Sequence, residues 1–410
     1  MRLGFYRRNA WWLGTGALFM FGSSFGQTYF IALFAGGIRE EFGLSNGEWG
    51  GLYTVSTLAS ALCLIQLGRL ADTMTLARLA RIVLLAYAVA ACAMALSQNV
   101  VMLALAVFGL RFCGQGMMTH LSTTAIARWF RANRGKAIAV AVLGFPLGEA
   151  MFPSIGVAVL GAVGWRGTWL IVAAAILLVL LPSLHLLLRH GRTPQGEGGG
   201  TDSPGLLGRQ WTRAEVVRHW SFWAVLPGLL APPFIGTCAI FHQVHIANVR
   251  DWDLSVMALG FTMYAGVSVA SSLASGPLVD RIGPTRLLPV ALLPLAAAIS
   301  ILAIPGGVEV WFAMLAGIGA SQGFTVTLLG SIWPTLYGTR WLGSVRAVAS
   351  AGMVMATALG PGITGAVIDA GVPFPGQALA LSAWCLVMAG VFTLVAPRLT
   401  AMLPAQPVAA

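Results

Sequence analysis

Gly68-Arg69-Leu70-Ala71-Asp72 reappears 208 positions later as Gly276-Pro277-Leu278-Val279-Asp280. Each copy closes a nearly unbroken apolar run, 49–70 in one case and 255–279 in the other. Each run is introduced by the same dipeptide, Leu44-Ser45 and Leu254-Ser255. Runs of about twenty such residues have the length of a transmembrane helix. A glycine and an aspartate at the same end of two such helices, at constant offset, mark a duplicated membrane-embedded unit. Gly114-Gln115-Gly116 and Ser321-Gln322-Gly323 extend the duplication in the same order.

The composition of the whole chain agrees. Of 410 residues 58% are hydrophobic and 9% charged, against about a quarter charged in ordinary soluble domains. Mean hydropathy is +0.83. So few charges cannot cover a soluble surface. This excludes an ordinary soluble enzyme, a disordered chain and a nucleic-acid-binding domain, despite a net charge of +11. The five cysteines, Cys63, Cys92, Cys113, Cys238 and Cys385, all fall in apolar runs, share no metal spacing and read as small packing residues. The basic, then apolar N-terminus mimics a secretory signal, but its apolar run is too long and lacks a clear cleavage site. It reads as a retained first span.

Helices are expected at 11–37, 49–70, 77–97, 100–127, 136–160 and 168–188, then at 220–247, 255–279, 285–304, 310–337, 344–368 and 377–397. The fold class is an all-α membrane protein with twelve transmembrane helices in two pseudo-symmetric six-helix bundles, 1–188 and 220–410. Residues 189–219 form a linker, glycine-rich at 195–200. Its end, Trp211 to Trp220, reads either as a short amphipathic helix or as a lead-in to span seven. With the N-terminus cytoplasmic, 20 of the 24 basic residues fall in cytoplasmic segments, three (Arg39, Arg166, Arg250) fall opposite, and Arg111 stays inside a helix. That bias follows the positive-inside rule and places both termini in the cytoplasm. The expected setting is a bacterial inner membrane, with the positive charge facing lipid headgroups rather than nucleic acid.

Gly276-Pro277-Leu278-Val279-Asp280-Arg281-Ile282-Gly283 resembles the Gly-x-x-x-Asp-Arg-x-Gly loop motif of the major facilitator superfamily. The first copy keeps Gly68 and Asp72 but has Thr73-Met74-Thr75 where Arg-x-Gly should follow. Arg111-Phe112-Cys113-Gly114-Gln115-Gly116 resembles the superfamily's span-four Arg-x-x-x-Gly-x-Gly region. A narrower likeness, to the monocarboxylate and oxalate/formate-type branch, rests on Ala127-Arg128-Trp129-Phe130, Arg134-Gly135-Lys136-Ala137, Gly164-Trp165-Arg166 and Leu342-Gly343-Ser344-Val345-Arg346. The resemblance implies parallel six-helix halves with a site between them. It also makes Gly68, Asp72, Gly276, Asp280, Arg281 and Gly283 gating candidates: glycines allow close helix approach and the charges meet groups of the other half. The plain alternative is a charged turn that only fixes orientation.

Two charges sit deep in the spans. Arg111 in span four and Glu149 in span five each lie about 11 residues, or about 16 Å, from the outer helix end. A charge at that depth is costly and should face the interior with a partner. Consecutive antiparallel helices are expected to bring the two together. Glu149 then serves as a proton carrier and Arg111 as a clamp for a substrate carboxylate, or the two form a fixed structural ion pair. Span five, with Gly144, Pro146, Gly148 and Pro153, is a bending point, and Pro227-Gly228 and Pro232-Pro233 predict a broken span seven. Where the superfamily lines its cavity stand Gln27, Thr28, Tyr29, Gln115, His242, Gln322 and Thr325, with Tyr264 and Gln66 as weaker candidates. His242 and His245 share a helix face; two ligands are too few for a metal and no cofactor is expected, so they read as a cavity-facing hydrogen-bonding or proton-sensitive pair, or as a pair near the outer mouth that contacts water. His120 is either a proton-relay member or a packing donor.

These readings converge on a secondary active transporter, not an enzyme. It moves a small organic anion of monocarboxylate type by alternating access, as a proton-coupled symporter. The alternative is proton-driven efflux of amphipathic compounds or drugs. The expected partners are a small-molecule substrate, protons and the lipid bilayer, and the expected state is a monomer. No nucleotide-binding loop points to ATP drive.

Overall fold

The computed structural model describes residues 3–68, 70–130, 134–189 and 203–404. The glycine-rich stretch 195–200, Arg2, Arg69, Arg131, His190, Arg192 and the side chains of Asp72 and Arg134 lie outside the described residues. Every described element is helical. Eleven helices are long and apolar enough to cross a membrane. One of them, Gly135–Leu187, has 53 residues, about 80 Å if straight against a hydrocarbon core of about 30 Å. It folds back at Gly164, whose φ of +70° suits glycine, so twelve crossings result. We number them as spans one (Gly4–Phe42), two (Asn46–Leu67), three (Leu76–Ala95), four (Val100–Trp129), five and six (Gly135–Leu187), seven (Trp220–Phe241), eight (Leu254–Ile282), nine (Pro284–Ile301), ten (Glu309–Tyr337), eleven (Leu342–Asp369) and twelve (Phe374–Ala401).

Several spans depart from regular α-helix, and the departures in spans one, four, five and seven shape the interior. Span one stops at Gly22, passes through a 3₁₀ turn at Ser23–Gly26, and has extended backbone at Gln27 (φ −86°, ψ 154°) before resuming at Thr28–Ile31. Ser23 and Ser24 donate to the carbonyls of Met20 and Phe21 at 2.7 and 2.5 Å, a back-bonding that loosens the helix there. Span four widens into a π-helical stretch at Arg111–Met118. Span seven breaks at Leu230, beside Pro232, as its prolines predict. Its continuation, Gln243–Arg250, is offset at His242, where the sequence predicts one helix to 247. Span five bends at Leu143, between Arg134–Val142 and the helix beginning at Gly144.

The two halves meet along spans two and eleven, and along spans five and eight. The approach is backbone to backbone. A Cβ on Gly50 would lie 2.4 Å from the Pro361 carbonyl oxygen, and one on Gly365 would lie 2.5 Å from that of Asn46. Small residues are what let membrane helices pack so closely. The described end of the linker is fixed to the second half. Trp211 is buried, donates to the Leu206 carbonyl at 3.0 Å, and its amide donates to the Tyr337 carbonyl. The helix that follows is Arg213–Arg218, started by a Thr212–Glu215 capping box. It is shorter than the stretch expected from 211 to 220, because Trp211 goes into the core instead of onto a membrane-facing side.

Candidate functional site

Arg111 is fully buried and ranks among the largest such side chains, beside Trp49, Trp169 and Trp311. It does not pair with Glu149. Its Nε donates to the Thr57 hydroxyl at 3.2 Å, and its Nη1 to the Gly26 carbonyl at 3.0 Å and the Thr28 hydroxyl at 3.5 Å. The guanidinium lies 5.0 Å from the centre of the Tyr53 ring, a favourable cation–π position. The sequence explains this placement. Gly26 and Gly114 bring spans one and four into backbone contact: a Cβ on Gly26 would lie 2.2 Å from the Leu110 carbonyl oxygen and 2.8 Å from the Gly114 Cα. The break at Gln27 frees the Gly26 carbonyl, and Arg111 from the widened turn of span four satisfies it. Nη2 is left buried without a hydrogen-bond partner.

Glu149 is 6% exposed and lies on the other side of span one. The expectation that consecutive spans carry the pair into contact fails because span one packs between them. Glu149 stands within electrostatic reach of Tyr29 and Tyr264. The preceding residue, Gly148, fits against Tyr29: a Cβ there would come 3.2 Å from the Tyr29 hydroxyl. That hydroxyl is buried without a hydrogen-bond partner. Thr262 of span eight donates to the carbonyl of Ala150, next to Glu149, at 2.8 Å. Gln243, just past span seven, is fully buried and donates to the Tyr29 carbonyl at 3.2 Å, with its own Oε1 unpartnered. Consecutive residues of the broken segment therefore face the two charges: Thr28 bonds to Arg111 and to the Tyr53 hydroxyl (2.6 Å), while Tyr29 borders Glu149 and is held by the second half.

The other sequence candidates divide. Gln27 is buried and donates to Ser23 at 3.2 Å, which spends it on the break. Gln115 and Gln322 are partly exposed, and next to the latter the Ser321 hydroxyl is buried without a partner. Tyr264 and Thr325 are buried. His242 does not line an open vestibule: it is 3% exposed and shares a 2.9 Å hydrogen bond with Thr364 of span eleven. His245 accepts from the Phe374 amide at 3.4 Å. Both brace the second half at the end remote from the linker. His120 bonds to the carbonyl of Gly68 at 3.0 Å, and Arg128 donates to that of Ala71 at 2.7 Å, so span four of the same half bonds to the described backbone of the first loop motif. In the second motif Asp280 and Arg281 are exposed and form no ion pair among the described residues. Gly276 is not a close-approach glycine here, since a Cβ would meet nothing within 4 Å. Gly283, at φ +90°, is needed to turn the chain into span nine.

Sequence reasoning passed over Gln243 and one further group, Asp369. Its carboxylate accepts from the amides of Asn46 (3.0 Å) and Gly47 (2.7 Å), the N-terminus of span two. Thr54 adds a bond to the Ala358 carbonyl at 2.6 Å. Together with Thr262–Ala150 and Gln243–Tyr29, these hydrogen bonds join the halves from the helix ends remote from the linker to about mid-span.

A family model described as the Major Facilitator Superfamily matches residues 16–361. The chain belongs to that superfamily. Its apolar helices and this membership make it an integral multi-pass membrane protein of a transporter superfamily. It is 25% identical over 244 residues to an uncharacterized MFS-type transporter, YhjX, of Escherichia coli K12, covering 59% of this chain and 60% of that one. It is 25% identical over 267 residues to a probable sulfoacetate transporter, SauU, of Cupriavidus necator, covering 60% and 59%. The chain thus matches about three fifths of the length of these curated relatives. In fold it is similar to a bacterial homologue of the human lysosomal transporter Spinster in an inward-facing, unoccupied conformation (TM-score 0.78, 18% identity, 97% and 99% covered). It is also similar to the nucleoside transporter NupG (TM-score 0.65, 12% identity, 95% and 98% covered).

Proposed function

We propose that this transporter moves a small organic anion by alternating access, driven by protons, and that the broken segment of span one couples the two. The observation that carries the reading is the placement of Thr28 and Tyr29. One residue contacts the buried cation, the next borders the buried carboxylate, and the Tyr29 carbonyl is tied to the opposite half. A carboxylate or sulfonate that takes the free Nη2 of Arg111 competes with Thr28 and Gly26 for the guanidinium. Releasing Thr28 shifts Tyr29, and with it the surroundings in which Glu149 holds or gives up a proton. Coupling then runs through a two-position backbone element instead of a direct ion pair. Sulfoacetate, the probable substrate of the Cupriavidus relative, is a carboxylate-sulfonate and supports the anion class, as does the monocarboxylate-branch likeness.

In this reading residues 1–188 and 220–410 are the rocking bodies joined by 189–219, and the linker side is cytoplasmic by the distribution of basic residues. The bonds of Asp369 and Thr54 then close the outer side while Asp280 and Arg281 stand free, which is the inward-open state. In the outward-open state the loop motifs take over, with Asp72, Asp280 and Arg281 as the contacts. The alternative, export of amphipathic compounds, draws support from the ring cluster Phe21, Phe25, Phe30 and Phe152 beside the same segment, with centroids 4.7–6.3 Å apart. A screen in proteoliposomes separates the readings. Labelled small carboxylates and sulfonates should accumulate with an inward proton gradient. Accumulation of lipophilic cations or dyes instead, with no anion uptake, would support the alternative.

A further inference from the structure

A groove of about 760 Å³ runs between spans seven, eleven and twelve. Its floor is the broken span seven and its lining is entirely apolar, including Phe222, Leu226, Phe234, Met355 and Trp384. It opens sideways: Trp223, Met355 and Trp384 are 57%, 53% and 47% exposed. From Phe222 to Ile235 the floor extends about 20 Å, more than the roughly 15 Å that one leaflet contributes to the hydrocarbon core. At membrane depth a groove of this length and lining can take an acyl chain. An acyl chain gains no hydrophobic free energy on leaving bulk lipid for it, so any selectivity must come from the headgroup.

The linker-side end of the groove supplies that selectivity. Trp223, part of the groove's lining, donates to the Val217 carbonyl at 2.8 Å, which ties the Arg213–Arg218 helix to the groove, and that helix also packs on span eleven. Arg213 and Arg218 are exposed on that helix. Arg340, 5.7 Å from the Trp341 ring, stands exposed at the start of span eleven. Among the described residues none of the three forms an ion pair, whereas Arg209 is already taken by Glu215 at 2.9 Å. We propose that this is a binding site for an anionic phospholipid of the linker-side leaflet, with one chain in the groove and the phosphate among Arg213, Arg218 and Arg340. Span seven leads into the helix whose Gln243 is tied to Tyr29, and span eleven carries Asp369. A lipid wedged between them would bias the same rocking motion, although the site itself does not depend on the substrate reading.

The test is native mass spectrometry of the full-length purified protein titrated with phosphatidylglycerol or phosphatidylcholine of identical chains, with glycerol phosphate as a headgroup-only competitor. The expected result is one tightly held phosphatidylglycerol, preferred by about tenfold or more, and not displaced by glycerol phosphate at equal concentration. The triple variant Arg213→Gln, Arg218→Gln, Arg340→Gln should bind both lipids equally. Gly352→Leu, which points a side chain toward the groove from a position with only ordinary contacts, should weaken both. Quenching of Trp223 and Trp384 by bromine-labelled phosphatidylglycerol, read against Trp223→Phe and Trp384→Phe, checks occupancy without relying on the charge variants. Equal binding of the two lipids by the unmodified protein would overturn the proposal. So would a preference that survives the triple substitution, or glycerol phosphate binding as well as the lipid.

Discussion

Replacing Asp369 by asparagine removes a charge from the N-terminus of the other half's span two and leaves at most one good acceptor for the amides of Asn46 and Gly47. Those two bonds, at 3.0 and 2.7 Å, are charge-assisted and lie where the helix dipole favours an anion. A bond to a charged group is worth about 1.5–3 kcal/mol and the dipole term about 0.3–1 kcal/mol. Asp369 is exposed, so solvent screening reduces the sum, and we take about 1–2 kcal/mol for the substitution. Because the contact exists only while the far side is shut, the whole difference falls on the equilibrium between states. The ratio of far-side-closed to far-side-open molecules should drop by about 5- to 30-fold. Spin labels on the loops at 43–45 and 370–373, read as a distance distribution in proteoliposomes, should show a longer component growing by that factor. Asp280→Asn should move the distribution the other way, since that residue is free in the present state. An unchanged distribution in Asp369→Asn, at low as well as high salt, would refute the reasoning.

Gly26→Ala should destabilise the protein by about 1–3 kcal/mol, because the new methyl meets the Leu110 carbonyl and Gly114 backbone; a lowered thermal midpoint in detergent checks this, and an unchanged one contradicts the close approach of spans one and four. Trp211→Ala should detach the linker from the second half, seen as faster proteolysis within 203–219 while the melting of the spans changes little. The Glu215 carboxyl is held below its usual range, first by the Thr212 amide, then by the Thr212 hydroxyl and by Arg209. The capping box therefore contributes above the unfolded carboxylate value of about 4.3 and fades as pH falls through the lowered folded value. Amide exchange in Arg213–Arg218 should be pH-independent in protection from neutrality down to that range and lose protection below it.

The spans were legible because apolar length and charge asymmetry are local properties, and the repeat of Gly68–Asp72 in Gly276–Asp280 gave their arrangement. Prolines disclosed the break in span seven. The break in span one was not read, although Gly22-Ser23-Ser24-Phe25-Gly26 holds its signal: two serines able to back-bond and two glycines, inside a stretch apolar enough to pass for continuous helix. Arg111 and Glu149 were found from depth alone. Order along the chain suggests that they pair, but it does not say which helix lies between two others, and span one does. Asp369 ends a span, where an aspartate looks ordinary, and only the folded arrangement puts it over a helix start 322 residues away. Gln243 lies between two histidines, and nothing in the local pattern marks it for a contact with span one.

The central claim is that Thr28 and Tyr29 transmit between Arg111 and Glu149. Proton release or uptake on adding substrate to the purified protein, followed with a pH-sensitive dye, tests it most directly when measured for the unmodified chain, Glu149→Gln and Thr28→Val, with binding measured in parallel. The account predicts a proton signal in the unmodified protein, and its loss in both variants while Thr28→Val still binds substrate. A full proton signal in Thr28→Val would contradict it.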